Sequence, residues 1–152
     1  MPDSTFVYVT YIAATPEKLW EALTDGNFTK KYWFGHEVRS NWTEGSTVSF
    51  LDKNGKTVDQ GKVLAKDPHR HLSYTFNWLE DKTIRQTAPV VTFTLQPMDS
   101  TVKLTLKHEN LLPIDFRDEK EGFYGINNGW PAILSNLKSL LETGRTLPPI
   151  VV

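Results

Sequence analysis

Cysteine is missing altogether from this chain of 152 residues. That excludes a disulfide framework, a thiolate zinc site, a cysteine nucleophile and a thiol redox centre. Charge of one sign is missing too. Lys+Arg number 17 against Asp+Glu 18, a net charge of -1, so no global field draws the chain towards nucleic acid or an anionic membrane. Unbroken apolar runs extend only a few residues, far short of the roughly 20 a membrane helix requires. The N-terminal stretch also lacks the basic, apolar and small-residue order of a secretory leader. The expectation is therefore a cytoplasmic protein without membrane insertion. The triplets Asn27-Phe28-Thr29 and Asn41-Trp42-Thr43 then match the glycosylation acceptor pattern only by coincidence. Phosphate-cradling glycine loops, dinucleotide fingerprints, Gly-x-Ser-x-Gly elbows and His-Glu-x-x-His pairs are all absent, so no cofactor is expected.

What the chain does have is apolar content, at 39% with 12% aromatic residues. A chain of this length typically buries roughly 70% of its unfolded surface, enough for one cored domain over residues 1–152. Phe6–Ile12 is dense in β-branched and aromatic residues and predicts a strand. Thr15 then caps a helix opening on Pro16, whose missing N–H is not needed there; Leu19, Trp20 and Leu23 share one face of it. A second short helix over Asn27–Lys31 runs into Tyr32-Trp33-Phe34 and stops at Gly35.

From His36 to about Glu109 the punctuation is that of strands. Asn54-Gly55, between Val48–Leu51 and Thr57–Ala65, predicts a hairpin. Leu72, Tyr74, Phe76 and Trp78 alternate with polar residues, as do Val91, Phe93 and Leu95, and then Val102, Leu104 and Leu106. Each such strand has one apolar and one wetted face, the pattern of an antiparallel sheet. Leu111–Gly129 reads as irregular. Trp130–Gly144 then places Trp130, Ile133, Leu134, Leu137, Leu140 and Leu141 on one helical stripe, with Asn128 as a candidate cap near Pro131 and Gly144 as the stop. Residues 145–152 form a tail. The fold class is α+β: a curved antiparallel sheet covered by the long C-terminal helix. Such a sheet need not close on a straight helix everywhere, and the gap predicts a cavity.

Four strings carry a family resemblance. Ala13 to Thr24 (AATPEKLWEALT) resembles the opening strand-to-helix junction of the START/birch-pollen-allergen-like superfamily. Pro89 to Leu95 (PVVTFTL) and Leu104 to His108 (LTLKH) resemble its last two strands, and Gly129 to Glu142 its closing helix. The combination is most similar to the homologues of the activator of heat-shock protein 90 ATPase. The resemblance implies a helix-grip fold with two short N-terminal helices. It also implies two partners, a small hydrophobic ligand of aromatic, polyketide or lipid type and, from the family's name, a chaperone ATPase.

The expected ligand-binding residues are Trp33, Tyr74, Trp78, Phe93, His108, Trp130 and Leu134. Trp33 and Phe34 either stack on a flat ligand or plug the narrow end of the core. Tyr74 and Trp78 bring polar handles that need partners when buried, whereas Phe76 reads as core. His108 keeps the parity of Val102, Leu104 and Leu106 and points inward. It serves as a hydrogen-bonded core histidine, a ligand-orienting group or the acid–base of a cyclase- or hydrolase-like enzyme. No nucleophile or paired carboxylate accompanies it in the reading, so catalytic residues are not assigned. His69 and His71 lack a third ligand, so no metal site is expected. Arg117–Glu121 is a mixed-charge run, either a solvated loop or a lid hinged on Gly122, Gly125 and Gly129.

Overall fold

The computed structural model describes residues 4–119 and 121–148. β1 (Ser4–Ile12) leads into α1 (Pro16–Thr24) and α2 (Gly26–Tyr32). The strands β2 (Glu37–Ser40), β3 (Thr47–Leu51), β4 (Thr57–Asp67), β5 (His71–Thr75), β6 (Asn77–Trp78), β7 (Val90–Met98) and β8 (Thr101–Leu111) follow. A 3-10 turn at Pro113–Asp115 precedes the long α3 (Ile126–Thr143). All pairings are antiparallel, in the order β1-β8-β7-β5-β4-β3-β2, with β6 against β4. This is the helix-grip arrangement the resemblance implies. What was expected of the tail beyond residue 148, and of Lys120 in the charge run, lies outside the described residues.

The local signals act as expected at the N-terminal junction. Thr15 Oγ1 accepts the Lys18 N–H at 3.1 Å, satisfying one of the amides that open α1. Asp25 caps α2 in the same manner through Asn27 N–H at 2.8 Å. The hairpin between β3 and β4 turns at Gly55, whose φ of 82° suits glycine.

β4 is shared between two pairings. Its first half meets β3 and β6, and its second half meets β5. Gly61 lies at the changeover. A Cβ there would stand 1.7 Å from the Thr75 carbonyl oxygen, so only glycine lets the two strands come this close.

The alternating residues of β7 and β8 all face inward: Phe93, Val91, Val102, Leu104 and Leu106 are fully buried. Leu19, Ala22 and Leu23 of α1 and Ile133, Leu134 and Leu137 of α3 close over them.

α3 corrects one expectation. It begins at Ile126, with Gly125 rather than Asn128 as its cap, so Pro131 lies inside the helix instead of opening it. The start is set by tertiary anchoring. Asn127 Oδ1 accepts the Arg117 N–H at 3.0 Å, and its Nδ2 donates to the Arg117 carbonyl at 2.9 Å. The C-terminal stop stands as read: Gly144 is left-handed (φ 79°) and its N–H donates to the Leu140 carbonyl.

Candidate functional site

A cavity of about 1100 Å³ opens where α3 draws away from the β4–β6 side of the sheet. Its wall comes from several elements at once. The α2–β2 turn contributes Trp33, Phe34 and His36; β4 contributes Asp59; β6 contributes Trp78; β8 contributes His108; and α3 contributes Trp130 and Ile133. The segment after β8 adds Ile114, Phe123 and Tyr124 over the mouth.

The inner wall is an aromatic cluster. Trp33 stacks on Phe50 at 4.8 Å between centroids and meets Trp130 edge-on at 5.2 Å. Phe76 lies 5.3 Å from Phe50 and meets Trp78 edge-on at 5.6 Å. Trp33 is buried at 4% exposure and also forms part of the cavity wall.

His108 is fully buried at the back of this wall. Trp130 Nε1–H donates to His108 Nδ1 at 2.9 Å. An indole nitrogen can only donate, so Nδ1 must be the unprotonated nitrogen and the neutral ring carries its proton on Nε2. Burial, the largest influence, lowers the His108 pKa to about 3, which keeps the ring neutral. Nε2 has no hydrogen-bond partner among the described residues. A buried donor left unmet costs about 1–3 kcal/mol. Among the described residues no carboxyl or hydroxyl lies within hydrogen-bond reach of it.

Asp59 is the group the sequence reading missed. It is 7% exposed and lines the cavity, and burial alone raises its carboxyl to about 7. The signal was present, because Asp59 shares inward parity on β4 with Gly61 and Val63. His36, also on the wall, is held down by burial, partly offset by Asp52.

Of the seven residues named as ligand-binding, the structure brings Trp33, Trp78, His108 and Trp130 to the wall. Tyr74, Phe93 and Leu134 do not line it; they are buried in the core behind, at 1% exposure or less. Tyr74 packs against Trp42, Phe50 and Phe93, and its hydroxyl has no partner among the described residues.

The mouth is held by an ion cluster. Arg85 grips Asp115 with two hydrogen bonds of 2.8 and 2.6 Å and reaches Asp81 at 3.0 Å. Its guanidinium carbon lies 5.0 Å from the Trp78 ring centroid. The stretch near Arg117, one reading of which was a lid, is tied to α3 by Asn127. Among the described residues no group of three metal-ligating side chains converges, and no helix is long and apolar enough to cross a membrane.

Comparison with known proteins agrees with this architecture. The family described as "Activator of Hsp90 ATPase homolog 1-like protein" matches residues 13–142. Protein MLL2253 from Mesorhizobium loti is similar in structure, with a TM-score of 0.73 and 28% identity over 91% of this chain and 97% of that one. The Aha1 dimer from Colwellia psychrerythraea gives 0.69 and 23% identity over 93% and 98% of the two chains. DynU16, from the dynemicin biosynthetic locus, gives 0.70 and 19% identity over 95% of this chain and 49% of that one. A search among curated proteins found no match.

Proposed function

The chain belongs to the activator of Hsp90 ATPase homologue 1-like family, and on that premise we propose that it binds a small, largely aromatic molecule in the cavity between sheet and α3. The observation that carries this reading is the combination of an 1100 Å³ hollow with an aromatic wall and polar groups left without partners. Aromatic surface supplies affinity through burial, and a few convergent polar groups fix orientation. Trp33, Trp78 and Trp130 form the contact surface, with His108 Nε2–H as a donor at the back of the wall. Tyr74, Phe93 and Leu134 support that wall from behind. A structural neighbour from a biosynthetic locus is in keeping with a small-molecule role.

Titration with a panel of flavonoid, polyketide and fatty-acid ligands, followed by NMR shift mapping, tests the reading. Shifts at the Trp33, Trp78 and Trp130 indoles are expected, with Leu95 and Leu104 unmoved. A panel that moves none of these indoles would overturn it.

A second reading, contact with a chaperone ATPase, draws on the family's name and on Val7, Val9 and Tyr11, which stand exposed on the outer face of β1. It predicts ATPase stimulation that survives filling the cavity and is lost when this stripe is made polar.

A further inference from the structure

Resting on that ligand-binding reading and deepening it, we propose that the cavity is built for an aromatic amine, its flat body against the Trp33–Trp78 wall and its protonated nitrogen at the Asp59 carboxylate. The position of Asp59 is the first reason. On β4 it pairs directly with Phe50 of β3 on one side and Trp78 of β6 on the other. Directly paired residues project to the same face of a sheet, so the carboxyl stands between two aromatic side chains. Burying a carboxylate in such surroundings is unfavourable unless a cation or several donors meet it. Among the described residues no salt bridge reaches Asp59, and desolvation is the sole influence on its titration.

The second reason is that the cavity's own cations are committed elsewhere. Arg85 is held between Asp81 and Asp115. Lys53 and Arg117 line the cavity only from exposed positions at its rim. His108 is neutral, its Nδ1 fixed as an acceptor by Trp130. His36, on the same wall with its Nδ1 unpartnered, is lowered by burial and is also neutral at pH 8. At that pH the interior presents one unmatched acid and no free positive charge.

Ligand classes separate on these facts. A carboxylate or phosphate would set a second negative charge near Asp59 with no cation to receive it. An uncharged hydrocarbon would fill the aromatic space and leave the acid unmet. An ammonium supplies the missing counter-charge, and aromatic faces attract it further. The Arg85 guanidinium over Trp78 shows a cation already accommodated on one of these rings.

Four probes with one naphthalene body test the idea at pH 8: 2-naphthylmethylamine, 2-naphthylmethanol, 2-ethylnaphthalene and 2-naphthoate, titrated by tryptophan fluorescence. The amine is expected to bind about tenfold tighter than 2-ethylnaphthalene, the gain of a hydrogen bond to a charged group. The alcohol should fall between them and 2-naphthoate should bind weakest. In Asp59→Asn the amine and the hydrocarbon should become equal. Equal binding in the native protein, tightest binding of 2-naphthoate, or a preference that survives Asp59→Asn overturns the amine assignment and leaves the cavity reading standing. No binding of any probe overturns both. A measurement on the native protein covers a variant that does not fold. The ¹³C signal of the Asp59 carboxyl should titrate at lower pH with the amine bound and be unmoved by 2-ethylnaphthalene; no displacement by the amine overturns the assignment.

Discussion

The two ends of the sheet–helix sandwich are built to opposite rules. At the closed end, Ile12, Leu19, Ala22, Leu104 and Leu137 interlock with no exposed surface at all. They are aliphatic, so interdigitation alone satisfies them. At the open end, Trp33, Phe76, Trp78 and Trp130 enclose a hollow, and Asp59 and His108 bring polar groups that the fold leaves unmatched. Functional sites are commonly where a protein accepts such local disadvantage. The closed end holds the chain together, and the open end holds what the fold does not itself need.

Breaking the closed end should have the largest effect. Leu104→Ala removes a fully buried side chain from the middle of β8 and is expected to lower stability by about 3–4 kcal/mol. Urea unfolding with the transition slope compared to wild type measures this. A loss below about 1 kcal/mol would mean that the closed end is not closely packed.

The open end should respond with the opposite sign. Asp59 titrates at about 7 when folded against an ordinary 3.8. The folded state therefore holds a proton that the unfolded chain has released, and this contribution is lost as pH rises from about 4 to about 7. Asp59→Asn removes that loss and should raise stability at pH 8, by up to about 4 kcal/mol. His108 runs the other way. Its folded value is lowered to about 3 from 6.5, so its contribution is complete above about 6.5 and is lost as pH falls towards 3. Between about 4 and 6.5 the two slopes oppose each other. In Asp59→Asn the His108 slope is no longer opposed, and His36, also lowered by burial, adds to it in the same direction; stability should climb with pH there, by about 1.4 kcal/mol per unit from His108. Denaturation curves at pH 4.5 and 6.5 decide it: identical pH dependence in both proteins would show that Asp59 is not the opposing group.

The closed end was legible from the residues because it obeys period and polarity. Alternation along β7 and β8 put Val91, Phe93, Leu95 and Leu104 on the inner face, where they lie. The same alternation could not tell wall from core. Tyr74 and Trp78 share parity, yet Tyr74 is sealed between Trp42, Phe50 and Phe93 while Trp78 borders the hollow. Parity reports the face of a strand, and what covers that face depends on elements distant in sequence. Asp59 was legible in principle, as a charged residue on the inward parity of β4. The beginning of α3 was not, because Pro131 marks a helix start by local rules and the side-chain grip of Asn127 on Arg117 overrides them.

That grip also offers the gentlest way to separate the two ends. Asn127→Ala removes two of the three side-chain bonds from α3 to the Arg117 backbone, leaving that of Asn128 Nδ2 to the Arg117 carbonyl at 3.3 Å, and leaves every closed-end contact in place. Each bond contributes about 1 kcal/mol locally, so amides of the segment between β8 and α3 should exchange about tenfold faster in deuterium exchange. Global stability should move by less than about 0.5 kcal/mol, because this segment adds little to the buried core. Faster exchange confined to residues near 112–125, with β7 and β8 protected as before, would establish that the mouth opens independently of the closed end. Matched acceleration in β8 would instead show that the two ends unfold as one cooperative unit, and the unmatched groups around the cavity would then weigh on the stability of the whole chain.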